Sequence, residues 1–477
     1  MRVSPPPVRR VPAVRWTIGP ALLVIGALVV AWLAPAAGAE GTPAVPGVVP
    51  FIVNGTVTTE HPSTGALLVF DDASHSTINT FCSGTLIGCQ TFLTAAHCVC
   101  PDNANDAVTC ERRGLSAPSI LQVFLQHAGV FDVTAVTIDP DFVFGQGADL
   151  AMITLSEPVT GIAPSAINTQ QRAAAGTAGT VVGFGTTTAA RTATDDSGIK
   201  RDGAIVVGLC TDGVPSATNV CWTFNGVGAN TCEGDSGGPL FVDFGRGEVL
   251  AGVTSGGGSP SCLAPDLPFD TDVFVYAPWI AAQAAGGVST TPCGSLPPVG
   301  SAAASVAGSG GQLNATQQQA HWDVSVPAGT STLRIALNGV PWSGSGDQTT
   351  NDFNLYVRAG DAPTTSVYDC RDLGPTPSGV CEINAPAAGT WGVLVTRVSG
   401  SGAFQLTATT FARSAANACR GDCNDDGVVT VDELVTGVDI ALGTLDVAAC
   451  PAGDGDGDGT ISVDELVSAV DRALNGC

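Results

Sequence analysis

The sequence predicts a mainly β protein that ends in a small helical block. Of 477 residues, 60 are glycine and 31 proline, 44% are hydrophobic and 13% are charged. This balance suits packed, turn-rich β structure better than disorder or charged helices. Short apolar runs at 65–70, 121–125 and 149–155 are separated by Gly, Pro and Ser, which is typical of strands without the alternating helices of a parallel sheet. At about 150 residues per domain, the length predicts roughly three domains.

Charge and cysteine content exclude several classes of protein. With 18 basic and 43 acidic residues, the formal charge is −25, which rules out a general phosphate-binding surface for nucleic acid. Sixteen cysteines indicate an oxidising compartment, and no paired CxxC motif proposes a zinc ribbon instead.

The N-terminal segment is typical of a secretory signal peptide. Basic residues precede an apolar run at about 18–33, and Ala-Pro-Ala-Ala-Gly-Ala follows at 34–39. We therefore expect a signal peptide at 1–39 and a secreted protein, with cell-surface association left open. An uncleaved membrane anchor is the alternative, because the run is near the length needed to span a bilayer.

Composition divides the rest of the chain. A β block extends from Ile52 to about residue 287, and a linker rich in Gly, Ser, Ala and Pro occupies 288–311. A second β block spans 312–412. The acidic block at 419–477 repeats the motif TVDELV, which begins at Thr430, as SVDELV, which begins at Ser462.

Three residues of the first block form a candidate catalytic triad. Ser236 lies among glycines in CEGDSGGP (232–239), where backbone N–H groups can approach a developing oxyanion. A serine hydroxyl needs a base, which His97 in LTAAHC (93–98) offers, and Asp149 at the start of an apolar strand can orient the imidazole. Each residue alone is more often structural, but together they predict nucleophilic catalysis. The pattern Gly-x-Ser-x-Gly also fits an α/β-hydrolase, whose histidine must follow the serine; only His321 does so, in a different block.

At these residues the sequence resembles the chymotrypsin-like (trypsin-like) serine proteases. IVNG at 52–55, CSGTL at 82–86 and YAPWI at 276–280 carry the same resemblance. It implies a protease domain at 52–287, built as a double antiparallel β-barrel of six strands each with the site between them. By this resemblance His97 is the general base and then acid, Asp149 its orienting group and Ser236 the nucleophile. The N–H groups of Gly234 and Ser236 form the oxyanion hole.

The resemblance also implies activation by cleavage. A short propeptide at 40–51 is removed after Phe51, and the new ammonium group of Ile52 pairs with Asp235, because a buried charge must be paired. Relatives activated by trypsin carry Lys or Arg before the cut, so trypsin is not expected to activate this chain. Self-cleavage after Phe51 is a hypothesis that this departure leaves open.

The specificity pocket implied by the resemblance departs from that of trypsin. Asn230 stands where trypsins place an aspartate, which predicts a neutral P1 residue, apolar or aromatic. Gly256 replaces the usual tryptophan and Pro268 falls near a usual glycine, so we expect a looser or differently shaped pocket. The pocket residues expected from the resemblance are Asn230, Ser255, Gly257 and Pro268.

The resemblance to the chymotrypsin-like proteases implies three disulfides in the protease domain, because six cysteines stand at positions that are paired in that family. They pair Cys82 with Cys98, Cys210 with Cys221, and Cys232 with Cys262. Four further cysteines allow three connectivities that the sequence leaves open, namely those of Cys89, Cys100, Cys110 and Cys293.

The second β block resembles the bacterial pre-peptidase C-terminal domain, a β-sandwich attached to secreted peptidases. The motifs VPAG (326–329), NLYVR (354–358) and PAAGTW (386–391) carry this resemblance. Cys370 and Cys381 are expected to form a local disulfide. Binding of substrate and assistance to secretion both remain open as roles for this block.

Two loops of the last block, 422–433 and 454–465, match the calcium-binding pattern D-x-[DN]-x-[DN]-G-x5-E. Alternating oxygens surround a hard cation, glycine at the sixth position makes the turn, and the final glutamate closes the site. A disordered acidic tail is the poorer reading, because leucines and valines recur on one predicted helical face, at 434, 438 and 442 and at 466, 470 and 474. The predicted ligands of two Ca²⁺ ions are Asp422, Asn424, Asp426, Val428, Glu433, Asp454, Asp456, Asp458, Thr460 and Glu465.

This block resembles an EF-hand or dockerin-type pair. Dockerins bind a cohesin on a scaffold or cell surface, commonly through hydroxyl pairs. Here Val431-Asp432 and Val463-Asp464 occupy those places, so a cell-surface or cohesin-like partner of this module is left open. Four cysteines are expected to crosslink the block, so that Ca²⁺ acts as a structural brace. They are Cys419, Cys423, Cys450 and Cys477.

These observations predict a secreted serine endopeptidase that acts on proteins or peptides and needs no cofactor for its chemistry. The alternative is a calcium-braced adhesion or binding protein whose protease-like domain never matures.

Overall fold

The computed structural model describes residues 52–101, 104–187, 197–284, 287–342, 350–412, 419–424, 428–454 and 459–475. The chain divides into a unit at 1–43 and a unit at 44–477, and all described residues belong to the second. Within these residues, none of the helices is both long and apolar enough to cross a membrane. The predicted signal peptide and propeptide lie outside the described residues, as do Asp426, Asp456, Asp458 and Cys477.

The first barrel is closed and antiparallel, with the strand order β2-β3-β4-β7-β6-β5. Every residue of β2 and β4 is buried, including the threonines at their ends. The elements of this part of the chain are β1 (Thr56–Val57), β2 (Thr64–Phe70), β3 (Ile78–Gly88), β4 (Thr91–Thr94), α1 (Ala107–Arg113), β5 (Leu121–Leu125), β6 (Gly129–Ile138) and β7 (Ala151–Leu155).

The next six strands join β1 in an antiparallel sheet of the order β1-β9-β8-β11-β12-β13-β10. The resemblance implied a second six-stranded barrel; in the described residues there are seven strands, because β1 pairs with the free edge of β9. The mainly β, chymotrypsin-like fold is confirmed. The elements are β8 (Ala178–Gly183), β9 (Arg201–Val206), β10 (Asn219–Cys221), β11 (Pro239–Asp243), β12 (Glu248–Gly256), β13 (Phe269–Asp272) and α2 (Val273–Gln283).

A two-sheet sandwich follows, with strand orders β14-β21-β16-β19 and β15-β20-β17-β18. Strand β14 begins at Ala304, so the predicted linker at 288–311 is too long by eight residues. Gly311 in this strand packs closely, since a Cβ there would lie 3.0 Å from the ring of Phe404. The strands are β14 (Ala304–Leu313), β15 (Gln319–Val326), β16 (Thr330–Gly339), β17 (Asp352–Ala359), β18 (Cys370–Asp372), β19 (Gly379–Asn384), β20 (Gly389–Ser399) and β21 (Gly402–Ala412).

Two helices, α3 (Val431–Ala441) and α4 (Val463–Asn475), form the C-terminal module. The predicted apolar face is largely exposed: Leu442 and Leu474 are 72% and 79% accessible. The helices instead meet at Gly437, where an added Cβ would lie 3.1 Å from Leu466. A small residue allows close approach there, which the pattern of large apolar residues did not indicate.

Disulfides connect distant segments. The pairs implied by family position are present, Cys82 to Cys98, Cys210 to Cys221 and Cys232 to Cys262. The sequence left the connectivity of four further cysteines open. In the structure Cys89 pairs with Cys293, and Cys100 pairs with Cys110. Cys370 joins Cys381, Cys423 joins Cys450, and Cys419 is also disulfide-bonded.

Candidate active site

Two paired strands of the first barrel bring His97 and Asp149 together. His97 lies in the 3₁₀ turn that follows β4, and Asp149 lies just before β7, which pairs with β4. His97 Nδ1 is 2.7 Å from Asp149 Oδ2, and the backbone N–H of His97 donates to Asp149 Oδ1 at 3.0 Å. Both oxygens of the carboxylate therefore hold the same residue, which fixes the direction of the imidazole ring.

A third donor satisfies the buried carboxylate. Asp149 is fully buried, and the hydroxyl of Ser255 donates to its Oδ2 at 2.6 Å. The resemblance placed Ser255 in the specificity pocket, and in the structure its side chain contacts Asp149. A buried charge is stable only with such partners.

The carboxylate changes the protonation equilibrium of His97. Burial by itself lowers the pKa of the imidazole, but the charge of Asp149 and the hydrogen bond to it outweigh burial, so the pKa of His97 is raised above its ordinary value of 6.5. The side chain of His97 remains 24% exposed. It can therefore accept a proton while remaining accessible to a substrate.

The serine loop is fixed by backbone contacts to β3 and β4. Gly237 has φ +80°, and a Cβ there would lie 2.0 Å from Thr94 Oγ1, so only glycine fits. The N–H of Ser83 donates to the carbonyl of Ser236 at 2.8 Å, and its hydroxyl donates to the carbonyl of Gly234 at 2.9 Å. These bonds set the position of Ser236 from the first barrel.

The Cys82–Cys98 disulfide lies between the histidine and the serine. Cys98 Sγ is 4.0 Å from His97 Nε2 and 3.7 Å from the carbonyl oxygen of Ser236. The ring of His97 and the backbone of Ser236 therefore both lie close to this disulfide, although the two residues are far apart in sequence.

Asp235 is buried beside the serine. Its Oδ1 accepts a hydrogen bond from the N–H of Gly185 at 2.8 Å, and its Oδ2 accepts one from the N–H of Cys232 at 2.9 Å. Ile52 is also fully buried and packs with apolar residues of the second sheet, including Val181 and Ile205. The predicted activation residues thus both lie inside the protein.

The predicted pocket contains a carboxylate that the sequence did not reveal. Asn230 is buried, and its Nδ2 donates to the carbonyl of Cys262 and to Asp266 Oδ2, both at 2.8 Å. A Cβ at Gly257 would lie 3.0 Å from the same carboxylate oxygen. Asp266 therefore lies between Asn230 and Gly257. Pro268 is buried, and its carbonyl accepts from the N–H of Trp222 at 3.2 Å.

Two phenylalanine rings occupy the space beside Gly256. A Cβ at Gly256 would lie 2.9 Å from Phe269 and 3.2 Å from Phe144. The ring of Phe144 also meets the ring of His97 edge-on, with centroids 5.4 Å apart. The space beside Gly256 is thus filled by aromatic residues distant in sequence.

Comparison with known proteins decides the family. The family model described as Trypsin matches residues 39–280, about half of the chain. The chain belongs to the trypsin family. It is therefore a serine-type endopeptidase, a hydrolase of protein or peptide substrates, and the alternative of a binding protein is not favoured. Its disulfides agree with an extracellular location.

Individual relatives of this trypsin-family protease cover most of the same domain. Trypsin of Saccharopolyspora erythraea is 30% identical over 215 residues, which are 44% of this chain and 86% of that one. Tryptase of Mus musculus is 30% identical over 219 residues, 42% of this chain and 77% of that one. A platelet-aggregating proteinase of Bothrops jararaca, PA-BJ, is 43% identical over a shorter stretch of 77 residues, 16% of this chain and 30% of that one.

The protease also carries an appended domain of known type. Residues 319–397 match the bacterial pre-peptidase C-terminal domain. The match falls within the two-sheet sandwich described above, in agreement with the resemblance seen in the sequence.

In the described parts of the two acidic loops, the final glutamate accepts hydrogen bonds from backbone N–H groups of its own loop. Glu433 accepts the N–H groups of Cys423 and Asn424 through Oε1 at 2.9 and 3.1 Å, and that of Thr430 through Oε2 at 2.8 Å. Burial raises the pKa of Glu433, but hydrogen bonds from Thr430, Asn424 and Cys423 outweigh it and lower the pKa. Asp422, the first residue of the loop, is buried.

The second loop has a similar arrangement at its ends. Glu465 Oε2 accepts the N–H of Ser462 at 2.8 Å, and Asp454 Oδ2 accepts the N–H of Gly459 at 2.9 Å. Glu465 is buried. The first and last positions of both loops supply carboxyl oxygens, and Asp422, Glu433 and Glu465 are buried. Such an oxygen-rich donor set fits a hard cation such as Ca²⁺.

Proposed function

We propose that this trypsin-family protease hydrolyses peptide bonds through an acyl-enzyme formed on Ser236. His97 acts as the base and Asp149 orients it. The observation that carries the proposal is the double contact of Asp149 with His97, at 2.7 Å to the ring and 3.0 Å to the backbone. This contact selects the tautomer whose Nε2 is free to accept the serine proton.

Each chemical step has an assigned group. Ser236 Oγ attacks the carbonyl carbon while His97 Nε2 takes its proton, and the N–H groups of Gly234 and Ser236 donate to the oxyanion. The imidazolium, stabilised by Asp149, then protonates the leaving amine. A water molecule activated by the same imidazole hydrolyses the ester and restores the serine.

Labelling with a fluorophosphonate, which reacts with an activated serine, tests this proposal. We expect one adduct on a chain that begins at Ile52, and none on the Ser236→Ala variant. Peptide cleavage should disappear in the same variant. A correctly trimmed chain that neither labels nor cleaves would contradict the proposal.

The P1 residue is neutral, apolar or aromatic. Asn230 supplies no charge, and the carboxylate of Asp266 is already bonded: Oδ2 accepts from Asn230, and Oδ1 accepts the N–H groups of Ser259 at 2.6 Å and Leu267 at 2.8 Å. A cationic side chain would have to compete with these donors. The proposed P1 preference therefore rests on the neutral side chain of Asn230 and on the hydrogen bonds that already occupy the Asp266 carboxylate.

Maturation follows secretion through the segment at 1–39. Cleavage after Phe51 frees the ammonium group of Ile52, which pairs with the buried carboxylate of Asp235. The aromatic residue before the cut suits the proposed P1 preference, so the enzyme processes itself. The mass of secreted Ser236→Ala tests this: the variant should retain residues 40–51, and normal trimming would contradict self-processing.

The C-terminal module binds two Ca²⁺ ions as a structural brace. One ion is held by Asp422, Asn424, Asp426, Val428 and Glu433, and the other by Asp454, Asp456, Asp458, Thr460 and Glu465. Support comes from the inward-facing glutamates and from the complete sequence pattern in both loops. The ions play no part in peptide-bond hydrolysis.

A further inference from the structure

The β-sandwich contacts the protease domain next to the catalytic loop. Trp342, which follows β16, is buried, and its Nε1 donates to the carbonyl of Ile78 at 2.9 Å. Its ring lies 5.7 Å from the ring of Phe81, centroid to centroid. The N–H of Ile78 donates to Thr350 Oγ1 at 2.8 Å, so the sandwich holds the first residue of β3 from two sides.

Phe81 in turn lies directly against the catalytic loop. A Cβ at Gly234 would be 2.5 Å from Cζ of Phe81 and 3.0 Å from Cα of Gly185. Gly234 has φ +92°, a conformation that other residues rarely adopt. The ring of Phe81 therefore fixes the position of Gly234, and the indole of Trp342 packs against that ring.

A second, polar route leads from the sandwich to the same loop. Asn338 Nδ2 donates to the carbonyl of Gly198 at 2.7 Å, and the N–H of Gly198 donates to the carbonyl of Phe184 at 2.6 Å. The N–H of Phe184 donates to Ser83 Oγ at 2.9 Å, and this hydroxyl donates to the carbonyl of Gly234, also at 2.9 Å. Four hydrogen bonds thus connect Asn338 with Gly234.

The apolar and polar routes share one cluster. Phe184 packs in a single buried group with Phe81 and Trp342. The residue after Phe184, Gly185, donates its N–H to Asp235. The sandwich therefore contacts both neighbours of the serine loop, β3 on one side and residues 184–185 on the other.

We propose that Trp342 and Asn338 of the β-sandwich are positioning residues for the oxyanion-binding segment at 234–236. This inference rests on the proposed function of that segment. An oxyanion hole acts because its donors are held in place before charge develops, and removing one donor costs about 10²–10³ in kcat. Loosening the support of Gly234 weakens this stabilisation in the transition state while leaving ground-state binding of the peptide unchanged.

The test compares variants of the full mature chain after titration of active sites with a fluorophosphonate. We expect Trp342→Ala to lower kcat by about tenfold or more with KM within about twofold of wild type. Affinity for a peptide boronic acid, which mimics the tetrahedral intermediate, should fall in parallel. Trp342→Phe keeps an aromatic ring against Phe81 and should restore most of the lost kcat.

Trp322→Ala is the matched control, because Trp322 on β15 packs against the core of the sandwich. It destabilises the same domain and should leave the titrated kcat unchanged. Equal losses of kcat in both variants would overturn the proposal, since they would report general destabilisation. A titrated kcat of Trp342→Ala within twofold of wild type would also overturn it.

Asn338→Ala provides a second variant if Trp342→Ala fails to fold. It removes one hydrogen bond from the polar route and should lower kcat without raising KM; an unchanged kcat would count against the proposal. A wild-type chain that neither labels nor cleaves would overturn the proposed function, and this inference with it. Labelled, active wild type with unaffected variants would overturn the inference alone.

Discussion

The hydroxyl of Ser255 donates a 2.6 Å hydrogen bond to Asp149 Oδ2, the same oxygen that lies 2.7 Å from His97 Nδ1. Ser255 is on β12 of the second sheet, whereas His97 and Asp149 belong to the first barrel. The orientation of the base therefore depends on contact between the two halves of the protease domain.

Ser255→Ala should lower kcat/KM by about tenfold, because a hydrogen bond to a buried charge contributes about 1.5–3 kcal/mol. Steady-state kinetics on a peptide substrate measure the effect. Ser63→Ala is the matched control, since Ser63 is buried and bonds to Ser165 at 2.8 Å. Equal activity of Ser255→Ala and Ser63→Ala would show that the Ser255 contact is dispensable.

The pH profile should follow the raised pKa of His97. The neutral imidazole is the active base, so kcat/KM rises with pH through this pKa, and its midpoint should lie above the ordinary 6.5. Asp149→Asn removes the charge that raises the pKa; we expect the midpoint to move to lower pH and kcat to fall by about 10⁴. An unchanged midpoint in this variant would contradict the assignment.

Asp270→Asn should alter the pH dependence of stability. Burial raises the pKa of Asp270 well above its ordinary value. Between the unfolded and folded pKa values the unfolded chain binds fewer protons, so this group makes stability fall as pH rises.

The asparagine variant lacks this decline in stability. Its free energy of unfolding, relative to that of wild type, should therefore rise by about 1–3 kcal/mol between pH 4 and pH 8. Chemical denaturation at both pH values measures it. Gln171→Ala, at an exposed position, is the control; it changes no titratable group and should show a pH-independent difference. A constant difference for Asp270→Asn as well would sink the prediction.

Substrate preference should follow the neutral side chain of Asn230 and the saturated hydrogen bonding of Asp266. We expect kcat/KM for Phe or Leu at P1 to exceed that for Lys by about tenfold or more. Asn230→Asp adds a carboxylate and should shift preference toward Lys, whereas Asn384→Asp, which adds the same charge at an exposed position of the sandwich, should not. A peptide series in which wild type prefers Lys would show that Asp266 provides the dominant charge.

Removal of calcium should destabilise the C-terminal module. At a free Ca²⁺ concentration of about 100 times Kd, one bound ion adds about 2.7 kcal/mol to the free energy of unfolding. A chelator should therefore lower the Tm of this module by about 10 °C. Calorimetric titration should give two ions for wild type and one for Glu465→Gln, which can still accept the N–H of Ser462. Asp432→Asn, an exposed neighbour of Glu433, should keep both. Two ions in Glu465→Gln would contradict the ligand assignment.

The sequence by itself identified the features that short motifs encode. The histidine, the serine with its glycines and the two acidic loops each occupy a few adjacent residues, so a chemical role can be predicted for each without knowledge of the fold. The order of motifs was enough to indicate the family, and family position was enough to pair six cysteines of the protease domain. The hydrogen bonds that Glu433 and Glu465 accept from their own loops depend on the same local spacing.

Only the tertiary structure placed Ser255 on Asp149, Asp266 beside Asn230 and Trp342 against Phe81. These partners are 106, 36 and 261 residues apart, and no local pattern relates them. Only the tertiary structure also showed that apolar residues of α3 and α4 are exposed. Sequence periodicity predicts which residues share a helix face, but not whether another segment covers that face. Local chemistry follows from neighbouring residues, whereas burial and charge pairing depend on which distant segments the chain brings into contact.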